Sequence, residues 1–381
     1  MCPGFVSKVA AVPFPPFTAL VDTLPDTVPF IGPEALERRT GVPVRARIGA
    51  NESGFGPSPR VIAALADSSA GIWRYPDPEN HELRAALAAH LGIGFDEVVI
   101  GEGIDGLMSL LVRLFIAPGD VVVTSLGGYP TFNFHVTGFG GALDYVPYTG
   151  SHEDLDGLAQ RARQTNARMV YLANPDNPMG THWPATAVTG FAASLPETCL
   201  LVLDEAYGET APASTLPPID TALPNVLRLR TFSKAYGLAG LRCGYAFGNA
   251  RLVRAFDRVR NHFGVNRLAQ TAALAALGDA DHLQWAVDAI AASRSRIATI
   301  AAENWLATVP SATNFVAVDC GRDGAYANAV LSQLGKRGVF VRKPMAPGLD
   351  RHIRISAAPE AELDILAEAL PQALRDAYSS P

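Results

Sequence analysis

The sequence predicts an α/β fold: a three-layer α/β/α arrangement around a mostly parallel sheet, with a smaller α+β domain. Three observations carry that prediction. From "PSPRVIAALADS" onward, short apolar runs bounded by Gly, Pro, Asn and Asp alternate with helical segments, as strands buried on both faces should. After about residue 266 long Ala- and Leu-rich helices replace that alternation, and a strand–helix–strand pattern follows. The 381 residues also exceed one ordinary core, at ~150 residues per domain.

Taken in order, residues 1–48 are proline-rich and read as an arm with one short helix that also joins the small domain. Residues 49–266 form the large domain. Within it "DEVVIGEG" reads as a strand and "DGLMSLLVRLFI" as a helix, and "GDVVVTS" is a second strand. "ARMVYLANP", "CLLVLDEAY", "NVLRLRTFS" and "CGYAFG" are the third to sixth. Residues 267–381 form the small domain: the long helices, then "NFVAVDCG", a helix through "AYANAVLSQLGKRG", "VFVRKP" and "HIRIS".

Composition narrows the function. Apolar residues make up 48% and charged residues 18%, with a net charge of −6 and no long basic block, which argues against a nucleic-acid surface. No apolar run approaches the ~20 residues of a membrane span. The opening "MCPGFVSKVAAVPFPPF" is too proline-rich for a signal-peptide core, so the cytoplasm is the expected compartment. The four scattered cysteines suit reduced thiols, and the eight histidines lack metal-ligand spacing, so no metal is expected.

Open α/β sheets bind ligands beyond the carboxyl ends of their strands. There the sequence places Tyr129 after the second strand, Asn177 after the third, Asp204 and Tyr207 at the end of the fourth, and Ser233 and Lys234 after the fifth. Arg242 precedes the sixth. Gly101, Gly103 and Gly106 make a formal GxGxxG, but the next strand ends in Thr124 and Ser125 rather than in the acid a dinucleotide site requires. What remains is a phosphate cradle of helix N-terminal amides at Gly103, Ile104 and Asp105. A lysine in an apolar pocket can form a Schiff base with an aldehyde. If that aldehyde is pyridoxal 5'-phosphate, an aspartate at the ring nitrogen, a hydroxyl and a guanidinium all gain roles. Singly, each residue also reads as a turn, a cap or solvated surface.

Together the motifs resemble a known family. "SKAYGLAGLRCGY" looks like the lysine motif of the fold-type I pyridoxal-phosphate aminotransferases, classes I and II, whose fold is aspartate-aminotransferase-like. "NPDNPMGT" and "LVLDEAY" resemble the NPxNPTG and DExY motifs of that family. The resemblance implies Lys234 as the Schiff-base lysine and proton shuttle, Asp204 at the pyridine nitrogen, and Asn177 and Tyr207 at the ring hydroxyl. It implies Tyr129 stacked on the ring, with Ser233, Arg242 and the Gly103, Ile104 and Asp105 amides on the phosphate. Tyr75, in "IWRYPDPENHELRAALA", is implied to reach the phosphate of a neighbouring subunit in a homodimer with shared sites.

"GANESGFGPSP", "YPDP" and "VFVRKP…HIRIS" look most like the histidinol-phosphate aminotransferase branch. This implies Arg354 on the substrate carboxylate, Arg342 near a substrate phosphate and Asn51 as a further substrate contact, with 2-oxoglutarate as acceptor. The chain departs from the family at Ile104 and Gly106, in "LGGYPTFNFH", in "RISAAPE" and in "RNHFGVN". These departures bear on the substrate more than on the cofactor. An aminotransferase for aromatic or other amino acids, a decarboxylase of a phospho-amino acid and a non-catalytic binding module are the rival readings.

Overall fold

The computed structural model describes residues 14–26 and 30–379. Cys2 and most of the proline-rich opening lie outside the described residues. The arm leads into α1 (Pro33–Thr40) and β1 (Ala46–Arg47). Next come α2 (Pro59–Ser68), α3 (His81–Leu91), β2 (Val98–Gly101), α4 (Gly103–Phe115), β3 (Val121–Ser125), α5 (Pro130–Gly138) and β4 (Ala142–Val146). The middle holds α6 (Leu155–Thr165), β5 (Met169–Ala173), α7 (Ala185–Ser194), β6 (Leu200–Asp204), β7 (Val226–Thr231), β8 (Gly244–Gly248) and α8 (Ala250–Ala255). The rest is α9 (Arg267–Leu277), α10 (Ala280–Glu303), β9 (Ala307–Thr308), β10 (Phe315–Asp319), α11 (Gly324–Gly335), β11 (Val339–Phe340), β12 (His352–Ser356) and α12 (Glu360–Tyr378).

One seven-stranded sheet, in the order β2-β8-β7-β6-β5-β3-β4, organises the large unit. Only β8 runs against its neighbours. Its central strands are buried along their whole length because helices cover both faces. On one face Val122, Tyr171 and Val202 pack with Leu107, Met108 and Leu111 of α4. On the other, Val123, Val170, Leu172, Leu201 and Leu203 pack with Leu158 of α6 and Phe191 of α7. In this sheet the strand missed from sequence is β4, whose burial is only partial at the sheet edge.

Helix starts follow side-chain chemistry. Ser58 accepts a hydrogen bond from the Arg60 amide at 3.0 Å, with Pro59 at the first helical position of α2. Asp154, Asn266 and Asp323 cap α6, α9 and α11 in the same way.

A second apolar core joins β10, β12, α11 and α12 with Ile297 and Ile300 of α10. Residues Ala46 and Ile48 belong to it, through parallel pairing of β1 with β11. The sequence reading begins the small domain at residue 267. In the structure Ala269, Ala272, Ala273 and Ala276 of α9 pack with Val61 of α2 and Leu83 and Leu87 of α3. Thus α9 lies on the large sheet's side, because its small residues let three helices approach closely.

Beneath the sheet edge, Glu205 is wholly buried between two guanidiniums, accepting from Arg228 Nε and Arg230 Nε at 2.9 Å each. Removing one partner of such a set leaves buried charge without compensation. Glu205→Gln should therefore lose about 3–5 kcal/mol of stability, read from urea unfolding. A loss under about 1 kcal/mol would mean the set contributes no more than a surface ion pair.

Candidate active site

The carboxyl ends of β3, β5, β6 and β7 open onto a cleft of about 1120 Å³. Because β8 is reversed, its beginning lies on that same edge, and so does Arg242. Lys234, Asp204, Asn177, Tyr207, Tyr129, Ser233, Arg242, Ile104, Asp105, Asn51, Arg342 and Arg354 all line the cleft. Tyr75 does not line it. The residue is 76% exposed, and its ring packs on Phe263 at 4.7 Å, beside the exposed Ile72 and Trp73.

Lys234 Nζ donates to the carbonyl of Asn51 at 3.1 Å and lies 5.5 Å from the Tyr207 ring centre. Burial, then the charge of Arg354, lowers its amine to about 8, against the opposing pull of Asp105 and Asp204. The amine therefore loses its proton more readily than an ordinary lysine. Asp204 ends β6, 6% exposed. Burial pushes it up to about 6, while hydrogen bonds from the Tyr171 hydroxyl (2.6 Å) and the Ala206 amide (2.9 Å) pull it back.

Asn51, at φ 56°, donates through Nδ2 to the Tyr207 oxygen at 2.9 Å. Arg354 donates to the Asn177 side-chain oxygen, and its buried Nε has no partner among the described residues. Tyr129 donates to Asp105 at 2.9 Å. Arg242, in the left-handed region at φ 57°, faces Asp105 at 3.5 Å and Ser233 at 3.4 Å. These groups meet where α4 begins. Arg342 stacks on Phe30 and Phe340 and donates to the Ile31 carbonyl at 3.2 Å, so the arm covers one wall of the cleft.

Sequence reasoning missed a second layer of acids. Glu153 is buried, accepting from Ser125 Oγ at 2.5 Å and the Ala173 amide at 3.0 Å. Asp176 accepts from Tyr148 at 2.8 Å and the Met179 amide at 2.9 Å. Burial and the charge of Asp176 push Glu153 well above the carboxylate range, and burial pushes Asp176 up to about 7. In "SHEDLDG" Glu153 looks like one of several helix-start acids, and nothing in the local pattern separates it from Asp154, the actual cap. Asp176 was visible as the variable residue of "NPDNP", but the chain's return past Tyr148 was not.

The family model for "Aminotransferase class I and II" matches residues 47–370. The chain belongs to that family. It is 35% identical to the histidinol-phosphate aminotransferase of Moorella thermoacetica, over 90% of this chain and 88% of that protein. With the enzyme of the same name from Anaeromyxobacter it shares 37% identity, over 90% and 94% of the two chains. The crystal structure of the Sinorhizobium meliloti histidinol-phosphate aminotransferase, in complex with pyridoxal 5'-phosphate, is 55% identical, covers 96% of this chain and 100% of its own, and gives a TM-score of 0.93. Thermus thermophilus aspartate aminotransferase with maleate, at 22% identity and a TM-score of 0.80, shares the fold across 95% of this chain. The α/β fold class and the aminotransferase family expected from the motifs therefore hold.

The lowered amine of Lys234 has a direct readout. Only the free base acylates, so competitive labelling with acetic anhydride, followed by peptide mass spectrometry, should show Lys234 reactivity rising with pH and half-complete near pH 8. A midpoint near the ordinary lysine value of ~10.4 would mean the cleft does not desolvate the amine.

Proposed function

We propose that this chain is a pyridoxal-phosphate aminotransferase that moves an amino group from L-histidinol phosphate to 2-oxoglutarate, working as a homodimer in the cytoplasm. The observation that carries the reading is the meeting of Lys234, Asp204, Tyr207, Asn177 and Arg354 in one cleft, with a guanidinium and a hydroxyl at a helix N-terminus. The names borne by the relatives support the substrate.

The residues present fit the cofactor. Gly103 begins α4 at φ 74°, and a Cβ there would stand 2.6 Å from the Arg242 guanidinium. A side chain at 103 would therefore fill the space in which the helix amides, Ser233 and Arg242 can share one phosphate. Asp204 would face the ring nitrogen, Tyr129 the ring, and Asn177 and Tyr207 the ring hydroxyl. When bound, pyridoxal phosphate supplies an aldehyde that condenses with amines and a ring that accepts electron density from the substrate α-carbon.

The chain's own residues do the rest. Lys234, its amine lowered to about 8, would take the proton from the substrate α-carbon as general base and, as general acid, give it to the cofactor carbon that bore the aldehyde. Asp204 holds the ring-nitrogen proton by its charge. Arg354, whose Nε has no partner among the described residues, offers a bidentate face to a carboxylate of 2-oxoglutarate. Arg342 offers a cation to a phosphate once the arm carbonyl yields it. The exposed Tyr75, Trp73, Ile72 and Phe263 support a dimer in which Tyr75 serves the partner's phosphate site. Among the described residues Cys199, Cys243 and Cys320 are free and buried, in keeping with a reducing compartment, and no described helix is long and apolar enough to cross a membrane.

A second reading is favoured by one observation. Phe30, Ile31, Tyr145, Phe340 and Met345 form an apolar wall of the cleft, which suits an aromatic amino acid as donor.

Donors added singly to the cofactor-loaded protein, anaerobically and without a keto acid, separate the two. L-Histidinol phosphate should shift the visible cofactor band. A shift with phenylalanine or tyrosine alone would transfer the assignment to the second reading. Lys234→Ala should lose at least ~10³-fold in steady-state transamination, and retained turnover would sink both readings.

Arg342→Gln should raise KM for histidinol phosphate by about tenfold or more, the loss of one charge-assisted hydrogen bond, and leave KM for glutamate within twofold. Equal effects on both donors would remove Arg342 from phosphate recognition.

A further inference from the structure

Strand register places an additional side chain at the heart of the site. Cross-strand pairing sets Tyr171 of β5 opposite Val202 of β6, and Ala173 opposite Asp204. Alternation puts Tyr171, Val202 and Asp204 on one face of the sheet, the face covered by α4 and α5. Asp204 is therefore the diagonal neighbour of Tyr171, within reach of a long aromatic side chain. The Tyr171 hydroxyl donates to Asp204 Oδ2 at 2.6 Å, and the Ala206 amide donates to Oδ1 at 2.9 Å.

The ring itself is 1% exposed and stacks on Phe132, with centroids 4.5 Å apart and planes 18° apart. Phe132 lies in the first turn of α5, three residues after Tyr129. One side chain thus touches the acid and braces the helix that presents Tyr129.

We infer that Tyr171 is a positioning residue for the reaction: its hydroxyl fixes the orientation of the Asp204 carboxylate and holds that carboxylate charged for the ring nitrogen. The inference rests on the cofactor reading above. Two oxygens, each already accepting one hydrogen bond, pin the plane of the carboxylate and leave lone pairs for a third donor. A phenol can do this only while protonated, and burial beside Asp204 pushes Tyr171 well above its ordinary range.

The groups facing Asp204 are Tyr171 and the more distant Glu153 on the β5 side, Asp105 of α4, Lys234 after β7, and Tyr207. Lys234 is the cation that helps keep Asp204 charged, and Asp105 opposes it. Burial raises the Asp204 pKa and the Tyr171 hydrogen bond lowers it. Removing the hydroxyl therefore raises it further, so Asp204 takes up its proton at higher pH.

The test is Tyr171→Phe in the cofactor-loaded enzyme, which keeps ring, stack and volume. A charge-assisted hydrogen bond is lost, so kcat should fall about tenfold or more, with KM for the amino donor within twofold. The acid limb of the kcat profile should move up by about one pH unit. Independently of turnover, the ¹⁵N chemical shift of ring-labelled pyridoxal phosphate bound to the variant should report loss of the nitrogen-bound proton where the parent retains it.

Phe132→Leu, which disturbs the stack but spares the hydroxyl, should leave the acid limb in place. An unchanged limb and ¹⁵N shift in Tyr171→Phe would overturn the inference, as would a Phe132→Leu variant that reproduces the shifted limb. If Tyr171→Phe does not fold, 3,5-difluorotyrosine at 171, a stronger donor, should move the limb downward, and no movement would overturn the inference. Asp204→Asn separates the two levels. If it abolishes turnover while Tyr171→Phe changes nothing, only the role of Tyr171 falls. If Asp204→Asn is itself without effect, the cofactor reading falls.

Discussion

The cleft depends on one residue with a strained backbone. Asn51 sits at φ 56°, and its carbonyl accepts both the Lys234 amine and the Asn314 amide group. Its own amide donates to Ser356 Oγ, and its side chain donates to Tyr207. Three stretches of chain distant in sequence thus converge on one peptide: the arm side, the end of the large sheet and the β10–β12 sheet. Asparagine tolerates this left-handed conformation better than most residues. Its side chain also supplies a donor and an acceptor at once.

Around that hub the energetics are electrostatic. Burial opposes the charge of Lys234, Asp204, Asp176 and Glu153 alike. Hydrogen bonds from backbone amides, Tyr148, Tyr171 and Ser125 restore part of what solvent would have given the acids. A carboxyl at about 6 and an amine at about 8 leave both groups poised across neutrality, which is how acid–base sites differ from surface ion pairs.

Much of this was legible in the sequence because strand ends in a parallel sheet share an edge. Once the apolar runs ending at Asp204 and Thr231 are read as strands, Asp204, Ser233 and Lys234 must be neighbours. Residues whose role depends on register were not legible. Tyr171 sits mid-run in "VYLANP" and reads as core, because only the pairing of β5 with β6 brings its oxygen to Asp204. Glu153 and Asp176 depend on a loop returning to the sheet, and the cover from Phe30 and Ile31 on an arm crossing from one unit to the other. Alternation predicts which face each strand residue takes, but not which residue of the neighbouring strand it meets. The placement of α9 was lost for a different reason: an alanine-rich helix gives no sign of which core it fills.

The reversal of β8 fixes more than sheet order. A parallel connection must leave the edge, cross a face as a helix and return, so the residues at its two ends belong to separately packed pieces. The run of residues 232–243 from β7 to β8 starts and finishes on the same edge. Ser233, Lys234 and Arg242 are therefore fastened at both ends to two hydrogen-bonded strands. The helices above and below can slide or repack without changing the spacing between amine, hydroxyl and guanidinium. Mechanically the three form a single clasp, clamped by the sheet and carried as one piece of chain.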